Sequence, residues 1–184
     1  AEALAKRPAL AAGEVRSAGG GVSVAAHLRG DASGWFGEGD GGTEALVLLR
    51  ARVQSAVLAL GVVALAGDEL VPSRVQVAEF PPGGCFKRHR DNPNRNGRIV
   101  TAVYYANEGW ADGDGGALRL HLGAGAGHVD VLPRLDTLVL FKSAAVPHEV
   151  LPARRARLAA TVWIESRAER DRSWCSQKPE AALA

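Results

Sequence analysis

At 184 residues the chain has the length of one domain, enough to bury a core without disulfides or structural metals. Its 22 Lys and Arg nearly balance 20 Asp and Glu, and a net charge of +2 argues against nucleic acid or a membrane surface as a partner held by bulk electrostatics. Cys85 and Cys175 are too few and too far apart for a disulfide framework, which fits a reducing cytoplasmic compartment, or in a eukaryote the nucleus as well. No apolar run is long enough to span a bilayer, residues 57–66 being the most hydrophobic, and the start has no secretory pattern. The absence of Met and the abrupt start at Ala1-Glu2-Ala3 predict a trimmed domain, expected to be monomeric.

In chain order, residues 3–16 are alanine-rich and predict at least partial helix, interrupted at Pro8 and Gly13. A short strand over 22–28 and a glycine-rich loop from Arg29 to Gly42 follow. Thr43 is a suitable N-cap for a helix whose apolar face carries Leu46, Leu49, Val53, Val57 and Leu60, with Gly61 as its stop. Beyond Pro72 the pattern changes to short strands over 74–80, 99–106, 117–122, 128–132, 137–141, 145–151 and 157–165, punctuated by Gly, Pro and Asn turns. The predicted fold is mainly β with flanking helices: a double-stranded β-helix, or jelly roll, of about eight strands with helices packed on one sheet. The whole chain reads as a single domain. Residues 1–73 form helical and loop support, 74–165 the jelly-roll core, and 166–184 a C-terminal helix, over about 166–175, and tail.

Chemistry concentrates in two segments. His89 and Asp91 are two residues apart, so in extended chain both side chains leave the same face. His148 comes from a distant strand. Two imidazoles and a carboxylate suit a facial 2-His-1-carboxylate site for Fe(II), which leaves positions open for O2 and a co-substrate. Arg157 opens the apolar, β-branched run 157–164, where burial is costly unless an anion meets it. A small dicarboxylate that chelates iron with one end and is gripped by this guanidinium at the other accounts for both features. Alternation sets Arg157, Ala159, Thr161 and Trp163 on one face of their strand, and Thr101, Val103 and Tyr105 on one face of theirs. His121 falls opposite Leu118, Leu120 and Leu122 and reads as a surface histidine; His128 reads as exposed, and His27 carries no motif.

The runs His89-Arg90-Asp91-Asn92-Pro93-Asn94, Gly97-Arg98-Ile99-Val100-Thr101, Tyr104-Tyr105, Gly115-Gly116-Ala117-Leu118-Arg119 and Pro147-His148-Glu149-Val150, continuing to Trp163, resemble the 2-oxoglutarate-dependent prolyl hydroxylases. The resemblance covers about residues 28–166 and is to the oxygen-sensing branch, the hypoxia-inducible-factor prolyl hydroxylases with their bacterial and protist relatives. It implies a protein prolyl 4-hydroxylase that uses Fe(II), 2-oxoglutarate and O2, supported by ascorbate as reductant, and releases succinate and CO2. His89, Asp91 and His148 resemble the iron ligands. Arg157 and Tyr105 resemble the residues on the distal carboxylate of 2-oxoglutarate, and Thr161, Thr101 and Leu118 those lining its pocket. Trp163 and Arg98 match positions at the target proline, and Arg29-Gly30-Asp31 with Trp35 resembles the segment before a substrate loop. The implied protein partner carries a target proline; the hypoxia-inducible factor, a Skp-type ubiquitin-ligase adaptor and elongation factor Tu are the candidates among targets of relatives. Three departures stand out: segment 80–86 is one residue shorter than in the animal enzymes, Phe80 stands where they carry tyrosine, and Gly34, Gly37, Gly39, Gly41 and Gly42 replace a more varied stretch after Asp31.

From pattern alone several rival roles remain open. Arg157 can pair with Glu149 or Asp130, Trp163 can be a core aromatic, and Arg98 can be a turn-flanking surface charge. Arg29 and Asp31 make an internal ion pair as readily as a substrate contact. An oxygenase acting on a free amino acid or small molecule is the alternative function. A cupin-type binding module is a third, although a closed structural metal site needs a fourth protein ligand.

Overall fold

A computed structural model describes residues 10–16, 22–24, 28–37, 44–61, 69–123 and 125–170. From Val75 onward the chain lays down eight strands, four in each of two sheets. They are β6 (Val75–Phe80), β7 (Phe86–His89), β8 (Arg98–Tyr105), β9 (Leu118–His121), β10 (His128–Val131), β11 (Thr137–Lys142), β12 (His148–Val150) and β13 (Arg157–Ser166). The five preceding strands are β1 (Ala11–Ala12), β2 (Glu14–Arg16), β3 (Val22–Val24), β4 (Ala32–Phe36) and β5 (Leu70–Pro72), and α1 spans Glu44–Ala59. The larger sheet runs β1-β4-β6-β13-β8-β11, with β5 paired to the far end of β13. The smaller sheet runs β10-β9-β12-β7, and every strand pair is antiparallel. This is the expected jelly roll.

Period-two alternation gives the larger sheet two different faces. Leu158, Ala160, Val162 and Ile164 of β13, with Val75, Val77, Val100 and Ala102, pack against Leu46, Val53 and Val57 of α1. The opposite face turns Arg157, Ala159, Thr161 and Trp163, with Thr101, Val103, Tyr105, Ala78 and Phe80, into the space between the sheets. Leu118, Phe141 and Val150 close part of that space with apolar packing. The helix therefore covers one side of the sheet, and the other side is left to form a pocket.

Several sequence expectations change. Residues 11–12 and 14–16 are strands: Ala11 and Ala12 pair with Ser33 and Ala32, and Glu14–Arg16 pairs with Val22–Val24. Edge pairing here overrides the helix propensity of alanine. The predicted loop from Arg29 is sheet over Ala32–Phe36, held against β6. α1 forms as expected, but Leu60 lies past its end and is 63% exposed, and Gly61 adopts φ +58° there. The predicted C-terminal helix begins after Ser166, which is still strand, and is helical over 167–170. Pro8, His27, Gly42, Thr43 and Cys175 lie outside the described residues.

Candidate metal centre and co-substrate pocket

His89 and His148 are direct cross-strand partners on β7 and β12, so the smaller sheet delivers both imidazoles side by side, ring centroids 4.3 Å apart. The ladder between β12 and β7 shifts register between His148 and Val150, an irregularity of the kind that re-aims a side chain. Asp91 follows two residues after β7 in a turn fixed by its asparagines. Asn92 accepts from the Asn96 N–H at 2.6 Å and donates to the Arg98 carbonyl at 2.8 Å, while Asn96 donates to the Asp91 carbonyl at 2.8 Å. Ligating atoms of His89, Asp91 and His148 all lie within 4.8 Å of one another, the one such metal-capable group among the described residues.

The outer bonds of these three residues leave one donor atom of each free to face a common point. His89 Nδ1 lies 2.8 Å from the Lys87 carbonyl and His148 Nδ1 3.2 Å from the Val146 carbonyl. A carbonyl only accepts, so both Nδ1 atoms carry the proton and both Nε2 atoms keep a lone pair. Asp91 Oδ2 accepts from Thr101 Oγ1 at 2.7 Å and from Trp163 Nε1 at 2.9 Å, while Oδ1 lies 3.4 Å from His89 Nε2 and 3.8 Å from His148 Nε2. Burial opposes ionisation of Asp91, but in the metal-free site interaction with the His89 and His148 rings when these carry a proton on Nε2, together with the bond from Trp163, outweighs it and holds the carboxyl well below its ordinary range. Burial likewise pushes the His148 imidazole down, toward the neutral form that a metal requires. Two neutral imidazoles and an ionised carboxylate oxygen, with no fourth protein donor among the described residues, fit Fe(II) in an open site.

Arg157 lies at the other end of the same pocket, 1% exposed. Its Nε donates to the Gly116 carbonyl at 2.9 Å and one Nη to the Tyr105 hydroxyl at 3.0 Å, and the guanidinium lies against the Phe80 and Tyr105 rings. Burial lowers the Arg157 guanidinium and raises the Tyr105 phenol, which keeps the phenol protonated as a donor. No carboxylate pairs with Arg157 among the described residues: Asp130 is taken by Arg119 and Glu149 by His121. A buried guanidinium facing a cavity without a counter-ion is a strong demand for an anion. The donor set and this unmatched charge together fit a dicarboxylic co-substrate, with Leu118, Val103 and Thr161 on the walls between.

At the metal end, Trp163 is 5% exposed and lines the pocket, with Arg98 stacked at 3.8 Å from its ring centroid and Trp35 at 5.4 Å. Arg29 and Asp31 form a buried ion pair with bonds of 2.6 and 2.5 Å, and Arg29 also covers the Phe86 ring, which stacks on His89. Thr101 lines the pocket but directs its hydroxyl at Asp91. His121 is bonded to Glu149 and His128 is exposed; neither joins the metal-capable group. Sequence reasoning missed the Gly116 carbonyl, Gln76 in the pocket wall and Ser143 behind Asp91. Strand alternation on β6 points Gln76 inward and was a usable signal, whereas a serine in the turn after a strand is not one.

The model of the 2OG-Fe(II) oxygenase superfamily matches residues 75–165. Mouse prolyl hydroxylase EGLN3 is 38% identical over 186 residues, covering 96% of this chain and 77% of that protein. Among solved structures, a prolyl hydroxylase from Trichoplax adhaerens in complex with a hypoxia-inducible-factor oxygen degradation domain peptide fragment is 35% identical with TM-score 0.77, covering 89% of this chain and 74% of that one. A prolyl-4-hydroxylase from Pseudomonas putida is 39% identical with TM-score 0.67, covering 76% and 74%. The site is thus that of an iron- and 2-oxoglutarate-dependent dioxygenase, and the chain belongs to the prolyl hydroxylases of the 2OG-Fe(II) oxygenase superfamily.

Proposed function

We propose that this protein prolyl hydroxylase acts on a prolyl residue in a hypoxia-inducible-factor-type degradation segment, as an oxygen sensor. The observation that carries the enzymatic reading is one pocket with an open three-donor cluster at one end and a buried, unmatched guanidinium at the other. The choice of target is supported by the Trichoplax relative, which was captured with such a peptide. A Skp-type adaptor and elongation factor Tu are the other protein targets to be compared with it.

In this reading His89, Asp91 and His148 hold Fe(II), while Arg157 and Tyr105 bind the distal carboxylate of 2-oxoglutarate. Fe(II) and 2-oxoglutarate supply the oxidising chemistry, consuming O2 and releasing succinate and CO2. The chain's part is placement. Arg157 and Tyr105 set how deep the co-substrate sits. Val103, Ala159 and Leu118 exclude water along its length. Trp163, stacked by Arg98, offers a flat face to the prolyl ring at the metal end. The Arg29–Asp31 pair braces Phe86 against His89 and supports the rim of the site.

Incubation with Fe(II), 2-oxoglutarate, ascorbate and peptides of the three target classes tests the proposal by mass spectrometry. One oxygen should appear on a proline of the factor-type peptide, with matching succinate, and His89→Ala and Asp91→Ala should abolish both. Turnover of a free amino acid with all peptides unmodified would support the small-molecule alternative instead.

A further inference from the structure

The contacts that hold Asp91 lead to a residue behind the pocket wall. Ser143 follows β11, lies in the turn that leads to His148, and is 0% exposed. Its carbonyl accepts the backbone N–H groups of Asp91 at 3.2 Å and Asn92 at 3.3 Å, and its own N–H donates to the Ile99 carbonyl at 3.0 Å. Its hydroxyl oxygen stands 2.8 Å from Thr101 Oγ1, which in turn stands 2.7 Å from Asp91 Oδ2. Ser143 thus touches the ligand-bearing turn through its backbone and the ligand carboxylate through Thr101.

The inventory of donors fixes the direction of this relay. An aspartate that ligates a metal is ionised, so Oδ2 only accepts. Thr101 has one hydroxyl hydrogen and directs it at Oδ2, which leaves its oxygen to accept from Ser143. The Ser143 hydroxyl is therefore the donor at the head of the chain, and polarisation along such a chain strengthens the last bond. Trp163 Nε1 meets the same Oδ2 at 2.9 Å from a second direction. With Oδ2 engaged twice, the carboxylate cannot rotate to offer both oxygens on the metal side.

We infer that Ser143 is a positioning residue for the metal ligand Asp91: acting through Thr101, and together with Trp163, it holds Oδ2 back and presents Oδ1 alone to the metal. The inference rests on the reading of His89, Asp91 and His148 as the metal ligands. Its consequence is that the coordination positions left for co-substrate and O2 are kept open by a hydroxyl that never touches the metal, the co-substrate or the target.

Co(II) is the probe, titrated into the metal-stripped full chain with its visible ligand-field absorption as readout. Ser143→Ala should weaken Co(II) about 10-fold, the scale of outer-shell bonds to metal ligands. Thr101→Val should weaken it at least as much, and Thr101→Ser, which keeps the hydroxyl, should return close to the parent. The Co(II) spectrum of Ser143→Ala should also change shape, a sign of altered coordination that a purely structural loss, followed by thermal melting of the metal-free protein, does not produce. If Ser143→Ala does not fold, Ser143→Cys, whose thiol is a weak donor, carries the same test. Parental affinity and spectrum in the Ser143 variants overturn the inference, as does a Thr101→Ser variant as weak as Thr101→Val. Asp91→Ala separates the two levels: full Co(II) affinity there removes the metal reading and the inference with it, whereas lost affinity there beside an unaffected Ser143→Ala removes the inference alone.

Discussion

Among the described residues no carboxylate lies within ion-pair distance of the buried Arg157, Asp31 acting on it only from further away, and that makes its substitution informative. Each charge-assisted hydrogen bond it would give a carboxylate is worth roughly 1.5–3 kcal/mol. Arg157→Lys keeps the charge but loses the planar fork, so the apparent KM for 2-oxoglutarate should rise about 10- to 100-fold. An unchanged KM would mean that the co-substrate binds elsewhere. His148 gives a pH prediction. Burial lowers its folded pKa beneath the unfolded value of about 6.5, so between the two values the unfolded chain binds more protons. Stability of the metal-free protein should therefore fall as pH drops below about 6.5, seen as a falling melting temperature. His148→Leu should flatten that slope; a slope that persists would assign it to another group. At this scale the sequence was legible enough to single out His89, Asp91, His148 and Arg157 as candidates, because charged and metal-binding types in apolar or turn-bounded strands have few structural uses, and the structure brings all four to one pocket. Ser143 was not legible, since a serine's role depends on a partner 42 positions away in the chain.

Gly116 shows how an element end shapes the site. It has φ +69°, and a Cβ there would come within 2.8 Å of the Ala153 Cβ and 3.1 Å of Trp110 Cζ2. Its carbonyl accepts from Arg157 Nε. Gly116→Ala should cost about 1–3 kcal/mol from the left-handed backbone alone, lower the melting temperature by several degrees and raise the 2-oxoglutarate requirement. Gly123→Ala is the control, because nothing lies within 4 Å of its added Cβ. Equal melting temperatures in the two variants would refute this view of the turn. The strands β8, β11 and β13 were readable from alternation because each lies in the larger sheet, with one face on the helix-side core and the other toward the space between the sheets. The exceptions have physical causes. β7 reads Phe-Lys-Arg-His, too polar to announce a strand, because its side chains serve the site and the solvent rim. β4, with sequence Ala-Ser-Gly-Trp-Phe, is held as strand by its pairing with β6 on one side and β1 on the other.

On the scale of the whole molecule, the two sheets divide the labour. The smaller one carries the paired histidines, and the larger one carries the buried Arg157–Tyr105 pair, Trp163 and the bonds to the Asp91 carboxylate. The central claim is that these parts act on one bound pair, Fe(II) with 2-oxoglutarate. Anaerobic addition of Fe(II) and then 2-oxoglutarate, read as the visible charge-transfer band that a 2-oxo acid gives on chelating Fe(II), tests it most directly. The band should form in the parent protein, fail in His148→Ala, and need far more 2-oxoglutarate in Arg157→Lys. A parent without the band, or a band of equal strength and midpoint in all three proteins, would contradict the account.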